Sequence, residues 1–285
     1  MNQTPLLLGA VAYDPKVVTI WDGFQQYFAE RDLAFDYILY TNYERQVEAH
    51  FSGQIHVAWN SPLAWLQSER LASALDRRAE AICMRDSDRD LTSVIVARKN
   101  GPVASLSDLK GRKIAVGAKD SPQATLIPLA FLADQGLEPN KDFAVAEFDV
   151  LSGKHGDHIG GERDAARALM RNDCDAACMI DSNHLLFIQE GTLPSGATHV
   201  IAQTPPYDHC NFTVLDNAPP EPIARFRELL LAMSYADPQV RRLLDLEGLK
   251  RWLPGRTEGY TQLSKAVEKF HFIDAFVSAA VARCK

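Results

Sequence analysis

Three short apolar runs, each followed by a stretch with helical spacing, open the chain and constrain its fold more than anything else in it. Residues 6–11 (Leu-Leu-Leu-Gly-Ala-Val), 35–40 and 55–59 read as strands. Within 17–31, Trp21, Phe24 and Phe28 recur at helical spacing. Tyr43, Val47 and Phe51 share one face of a second helix, which Asn42 is placed to cap and Gly53 to end. A third helix starts after Asn60-Ser61-Pro62. This βαβαβα order predicts a parallel sheet with helices on its faces.

The same unit recurs at 107–128. Lys110-Gly111-Arg112 supplies a turn, and Ile114-Ala115-Val116-Gly117 a short buried strand. Asp120 or Ser121 caps the next helix, Pro122 fits its first position, and the spacing predicts a helix over 123–135 that stops at Gly136. A polar loop feeding a helix N-terminus presents backbone N–H groups that hold an anion without any basic side chain. The plain alternative is a well-capped turn that binds nothing.

Further strands are predicted at 93–98, 143–150, 175–180, 198–203 and 212–215, with mostly helix from 221 onward. In open α/β sheets, ligands bind outside the carboxyl ends of the strands. Here those exits carry the polar residues: Tyr13-Asp14, Asn60-Ser61, Asp120-Ser121, the His- and Gly-rich stretch 155–162, 181–184 and 207–211.

The charge of −7 argues against a broad nucleic-acid surface, and no apolar run is long enough to span a membrane. The five cysteines form no regular framework, which fits a reducing compartment slightly better than an oxidising one. The segment Met1-Asn2-Gln3-Thr4-Pro5 carries no basic region and no cleavage site. The chain is therefore read as cytoplasmic if Met1 is the natural start, and as periplasmic if a signal peptide has been removed.

Several motifs, in order along nearly the whole length, carry a family resemblance. They are Thr41-Asn42-Tyr43-Glu44 with the run 51–59 (Phe-Ser-Gly-Gln-Ile-His-Val-Ala-Trp), then 105–113 (Ser-Leu-Ser-Asp-Leu-Lys-Gly-Arg-Lys), Asp173-Cys174-Asp175-Ala176-Ala177, and the tail from Asp237-Pro238 to Tyr260. The chain resembles the type 2 periplasmic binding proteins of the phosphate, phosphite and phosphonate ABC transporters. The resemblance implies an α/β protein of two lobes with a two-segment hinge, residues 1–92 and 208–285 forming lobe 1 and 93–207 an inserted lobe 2. It implies a monomer that clamps a small oxyanion or acid and hands it to an ABC permease if exported, with no chemistry and no cofactor.

The sequence departs from that pattern at the ligand. Ser121-Pro122-Gln123-Ala124 stands where the family usually has Ser-Thr-Ser-Gly, Leu91 replaces a common hinge tyrosine, and Glu162-Arg163 falls at a usual histidine. These departures point to a different small polar ligand in the same cleft. The expected contacts are Ser121, Gln123, Ala124 and Thr125 at the central turn, with Tyr13, Asn60 and Ser61 from the early strand exits. His158, Glu162, Asp181, Tyr207 and His209 complete the set.

The histidines and acids of 155–162, with Asp208-His209-Cys210, contain metal-binding donor types, but no compact metal spacing is present and no metal is expected. An enzyme or a cytoplasmic ligand sensor reusing this fold is the alternative reading. Trp59 reads equally as core; Cys174 and Cys178 read as small buried residues on one strand face; His50 and His56 read as surface or strand-edge residues.

Overall fold

The computed structural model describes residues 4–156 and 160–284, which divide into two compact units. The first contains the chain up to Arg89, Asp208–Tyr260 and the segment from Ile273; the second contains Asp90–Tyr207 and Thr261–Phe272.

The first unit begins with β1 (Leu6–Val11), α1 (Lys16–Ala29), β2 (Phe35–Tyr40), α2 (Tyr43–Phe51), β3 (Val57–Asn60), α3 (Pro62–Ala74) and β4 (Ala79–Arg85). The second runs through β5 (Ser93–Arg98), β6 (Lys113–Val116), α4 (Ile127–Asp134), β7 (Ala144–Glu147), α5 (Glu162–Met170), β8 (Ala176–Ile180), α6 (Asp181–Gln189) and β9 (Thr198–Gln203). The first unit resumes with β10 (Asn211–Leu215), α7 (Pro220–Leu231), α8 (Pro238–Glu247) and β11 (Trp252–Pro254). Then α9 (Thr261–Phe270) belongs to the second unit and α10 (Asp274–Cys284) to the first. Helix α9, which the sequence reading gave to the first lobe, buries Leu263, Ala266 and Val267 and packs against α4.

The sheet of the first unit has the order β11-β4-β10-β3-β1-β2. β1 is parallel to β2 and β3, as the βαβ pattern requires, but β10 runs antiparallel to both β3 and β4, so the sheet is mixed. One face carries an aromatic core in which Trp21, Phe24 and Phe28 of α1 meet Phe35, Trp59, Phe212, Phe226 and Trp252. The ring centroids of Phe28 and Phe35 are 4.8 Å apart and those of Trp59 and Phe212 4.6 Å, spacings typical of favourable aromatic pairs. Trp59 is a core residue. The caps read from sequence form: Asn42 accepts from the Arg45 N–H at 2.9 Å, and Ser61 from the Ala64 N–H at 3.1 Å with Pro62 at the first turn of α3.

The sheet of the second unit has the order β7-β6-β8-β5-β9. β6 is parallel to β7 and β8, while β5 is antiparallel to β8 and β9. Strand alternation sorts its residues into two cores. Val94, Val96, Ala115, Ala177 and Met179 pack with α5; Ile95, Ala97, Ile114, Val116, Ala176 and Cys178 pack with Leu129 and Leu132 of α4. Cys174 and Cys178 are both buried but enter different cores, contrary to the shared face read from their spacing. Cys174 lies before β8 begins, so the strand alternation does not reach it. His50 is buried too, with 2% exposure, rather than at the surface; His56 is part-buried and its Nδ1 accepts from the Leu7 N–H.

Candidate functional site

The candidate ligand residues of the second unit gather at the ends of β6, β5 and β8. After β6 the chain bends through Gly117 to Asp120 and Ser121, whose Oγ accepts from the Ala124 N–H at 3.2 Å. The helix that follows is not regular. Pro122–Leu126 forms a π turn before α4 begins. Pro128 has no N–H to give to the Ala124 carbonyl, which instead accepts from the Gly117 N–H at 3.3 Å. Ala124 packs against Gly117, where a Cβ would stand 2.7 Å away, and Thr125 Oγ1 donates to the Ala118 carbonyl at 2.7 Å.

The stretch after β7 folds onto this turn. Gly156 presses on Ser121, Gln123 Nε2 donates to the Gly156 carbonyl at 2.7 Å, and Asp120 Oδ2 accepts from the Gly153 N–H at 2.5 Å. Leu151, Gly153, His155, Gly156, Gly160 and Gly161 all have positive φ, a backbone path that the glycines permit at low cost. His158 lies outside the described residues.

Glu162, at the start of α5, is completely buried. Its Oε2 accepts from the Ile180 N–H and from Asn183 Nδ2, both at 2.9 Å. Burial pushes its carboxyl up to about 8, against the hydrogen bonds of Asn183, the Ile180 N–H and Gln123, which favour the charged form. Tyr207 is also buried; its hydroxyl is 2.7 Å from Ser93 Oγ, which donates to the Gln123 carbonyl. Burial raises the Tyr207 pKa further, and the charge of Glu162 adds to the rise. Asp181 accepts from Thr92 Oγ1 at 2.9 Å and from the Ser182 N–H at 2.6 Å. Ser121, Gln123, Ala124, Thr125, Glu162 and Tyr207 thus converge in one unit, and Asp181 sits at the end of the same β8 strand.

In the first unit the candidates separate. Tyr13 is part-buried against the aromatic core, with Lys16 Nζ 5.9 Å from its ring centroid. Asn60 is fully buried and committed: it donates to Thr213 Oγ1 at 2.9 Å and accepts from Gln46 Nε2 at 2.8 Å. Ser61 is the α3 cap. His209 belongs to a buried ion-pair network. Arg85 holds Asp88 through two N–H donors, Nε at 2.5 Å and Nη2 at 2.9 Å, and reaches Glu247 Oε1 at 3.3 Å through Nη1. His209 Nδ1 lies 3.5 Å from Asp88 Oδ1 and 3.1 Å from Cys210 Sγ.

Burial alone would raise the Asp88 carboxyl; Arg85 outweighs it and, with His209, holds the group well below the usual carboxylate range. Asp88, His209 and Cys210 place oxygen, nitrogen and sulfur donors within 4.8 Å of one another, a set of the type zinc takes. Both carboxylate oxygens of Asp88 are already engaged by Arg85, so the cluster closes as an ion-pair network. Sequence reading missed Arg85, Asp88 and Glu247: the first two are three residues apart, but Glu247 and His209 reach them only through the fold.

A family model described as ABC transporter, phosphonate, periplasmic substrate-binding protein matches residues 10–260. Among solved structures, PhnD1 of Prochlorococcus marinus in complex with methylphosphonate is similar with a TM-score of 0.69 at 18% identity, covering 93% of this chain and 98% of that one. A Xanthomonas citri protein bound to ATP gives 0.66 at 15% identity, covering 99% and 98%. A binding protein component of an ABC phosphonate transporter from Pseudomonas aeruginosa gives 0.64 at 14% identity, also covering 99% and 98%. At these identities the structures establish the fold, a type 2 periplasmic-binding-protein architecture, and the family model establishes the lineage. The chain belongs to the phosphonate ABC transporter periplasmic substrate-binding protein family.

Proposed function

We propose that the chain clamps a small oxyanion, of the phosphonate or sulfonate type, and passes it to an ABC permease, performing no chemistry on it. The observation that carries this reading is the Ser121 turn: a capped helix start at the end of β6, with Gln123, Glu162 and Tyr207 gathered beside it. Such a turn directs N–H dipoles toward an anion. The methylphosphonate complex of the Prochlorococcus relative supports the ligand class. Ser121, Gln123, Thr125 and Glu162 of the second unit would contact the ligand. The chain passes between units at 89/90, 207/208, 260/261 and 272/273, and the first two of these would serve as the hinge. The working compartment would be the periplasm, as for the family.

Native mass spectrometry of freshly purified protein, followed by small-angle scattering with and without the ligand so identified, tests this reading. A bound small anion and a smaller radius of gyration on binding are expected. A protein that retains no small molecule and keeps the same radius with every phosphonate and sulfonate added would refute it.

A further inference from the structure

The second unit buries an acid whose proton has a defined place. Glu162 Oε2 accepts two hydrogen bonds, from the Ile180 N–H and Asn183 Nδ2, whereas Oε1 is buried and, among the described residues, meets no donor in hydrogen-bond geometry, the nearby Gln123 amide giving its proton to the Gly156 carbonyl. A neutral carboxyl has one O–H donor and otherwise accepts. Two N–H donors on Oε2 leave Oε1 as the oxygen that carries the proton. No arginine or lysine is among the buried residues described in this unit, whose buried basic side chains are His155 and His184. We propose that Glu162 is a neutral hydrogen-bond donor in the ligand site, giving its Oε1–H to an oxygen of the bound oxyanion. This rests on the oxyanion reading above.

The surroundings agree with a neutral group. On β8, Cys178 is itself pushed up to about 12, chiefly by burial, and so brings no charge of its own. Tyr207 has its pKa raised and stays protonated. Asp181, at the start of α6, is bound to Thr92 and the Ser182 N–H, and His184 on the same helix lies 3.1 Å from Thr198 Oγ1. On α5 itself, Arg163 is paired with Glu190 and Asp164 with Arg167. A buried donor with no acceptor is costly, so a ligand oxygen placed there gains a bond otherwise unmade. Ionised Glu162 would instead repel the oxyanion. The site therefore selects a ligand with an acceptor oxygen at that point and releases it in alkali.

The test is calorimetric titration of the full chain and of Glu162→Gln with methylphosphonate from pH 6.5 to pH 9.5. The amide can donate from the same position, so Glu162→Gln is expected to bind within a few-fold of wild type at pH 6.5. The ratio of the two affinities cancels the ligand's own ionisation. It should fall on the order of tenfold or more by pH 9.5, as expected for loss of the protonated form. A flat or a rising ratio would overturn the proposal. Absence of methylphosphonate binding to both proteins at every pH would refute methylphosphonate as a ligand and count against the oxyanion reading rather than against the protonation of Glu162. Infrared spectroscopy of the ligand-free proteins keeps the protonation claim testable in that event, or if the variant fails to fold. A neutral-carboxyl band assigned to Glu162 by site-specific isotope labelling should be present at pH 7, and its absence would overturn the proposal.

Discussion

Gly156 lies directly against Ser121: a Cβ on Gly156 would stand 2.5 Å from the Ser121 Cβ and 2.6 Å from its Oγ. At φ +59° the backbone is also one that side chains rarely adopt. Gly156→Ala should therefore push the Ser121 turn out of place. The expected loss is about 1–3 kcal/mol of stability, the scale for overpacking a tight site, with weaker methylphosphonate binding. Thermal melts and calorimetry on the same sample check both.

Arg85 is the shared cation of two buried carboxylates, Asp88 and Glu247. Arg85→Met removes it and leaves both acids without that partner. Breaking a buried pair from one side costs about 3–5 kcal/mol. Urea denaturation should show a fall of that order, and Arg85→Lys should restore only part of it, because a lysine cannot reproduce the two-pronged contact with Asp88.

Two buried groups set opposite pH limits on stability. Burial pushes His50 down to about 4 from 6.5, with repulsion from Arg77 and His56 added, against the backbone of His56, which favours the charged ring. The unfolded chain then binds more protons between those values, so stability falls as pH drops from 6.5 toward 4, by up to about 3 kcal/mol. Glu162 is raised from 4.5 to about 8, so the folded chain binds more protons there. Its contribution is full below 4.5 and is lost as pH rises to 8, by up to about 5 kcal/mol. The two slopes oppose each other between 4.5 and 6.5. Denaturation across pH 4–9 should show decline on both sides of that interval, with His50→Phe flattening the acid side and Glu162→Gln the alkaline side.

The strands and early helices were legible because their periods are local. Trp21, Phe24 and Phe28 mark α1 without reference to any other segment, and Asn42 and Ser61 announce the helices they cap. The mixed sheet was not legible, because β10 enters between β3 and β4 from a distant part of the chain and its direction depends on that path. The first turn of helix α6, residues 181–184, read as a polar strand exit. The helix opens Asp-Ser-Asn-His, and Leu185 and Leu186 are exposed, so no apolar stripe marks it. At the candidate site, sequence singled out Ser121, Gln123, Glu162 and Tyr207. It gave no sign of the π turn over Pro122–Leu126, or of the Arg85 network, which requires the fold.

The central claim is that this chain is a binding protein for a small oxyanion held at the Ser121 turn, and titration of wild type and Ser121→Ala with methylphosphonate at pH 6.5 tests it most directly. The account predicts saturable one-to-one binding by wild type and a loss of about 1.5–3 kcal/mol in the variant, the scale of one hydrogen bond to a charged group. Equal affinity in the two proteins, or no binding of methylphosphonate by wild type, would contradict it.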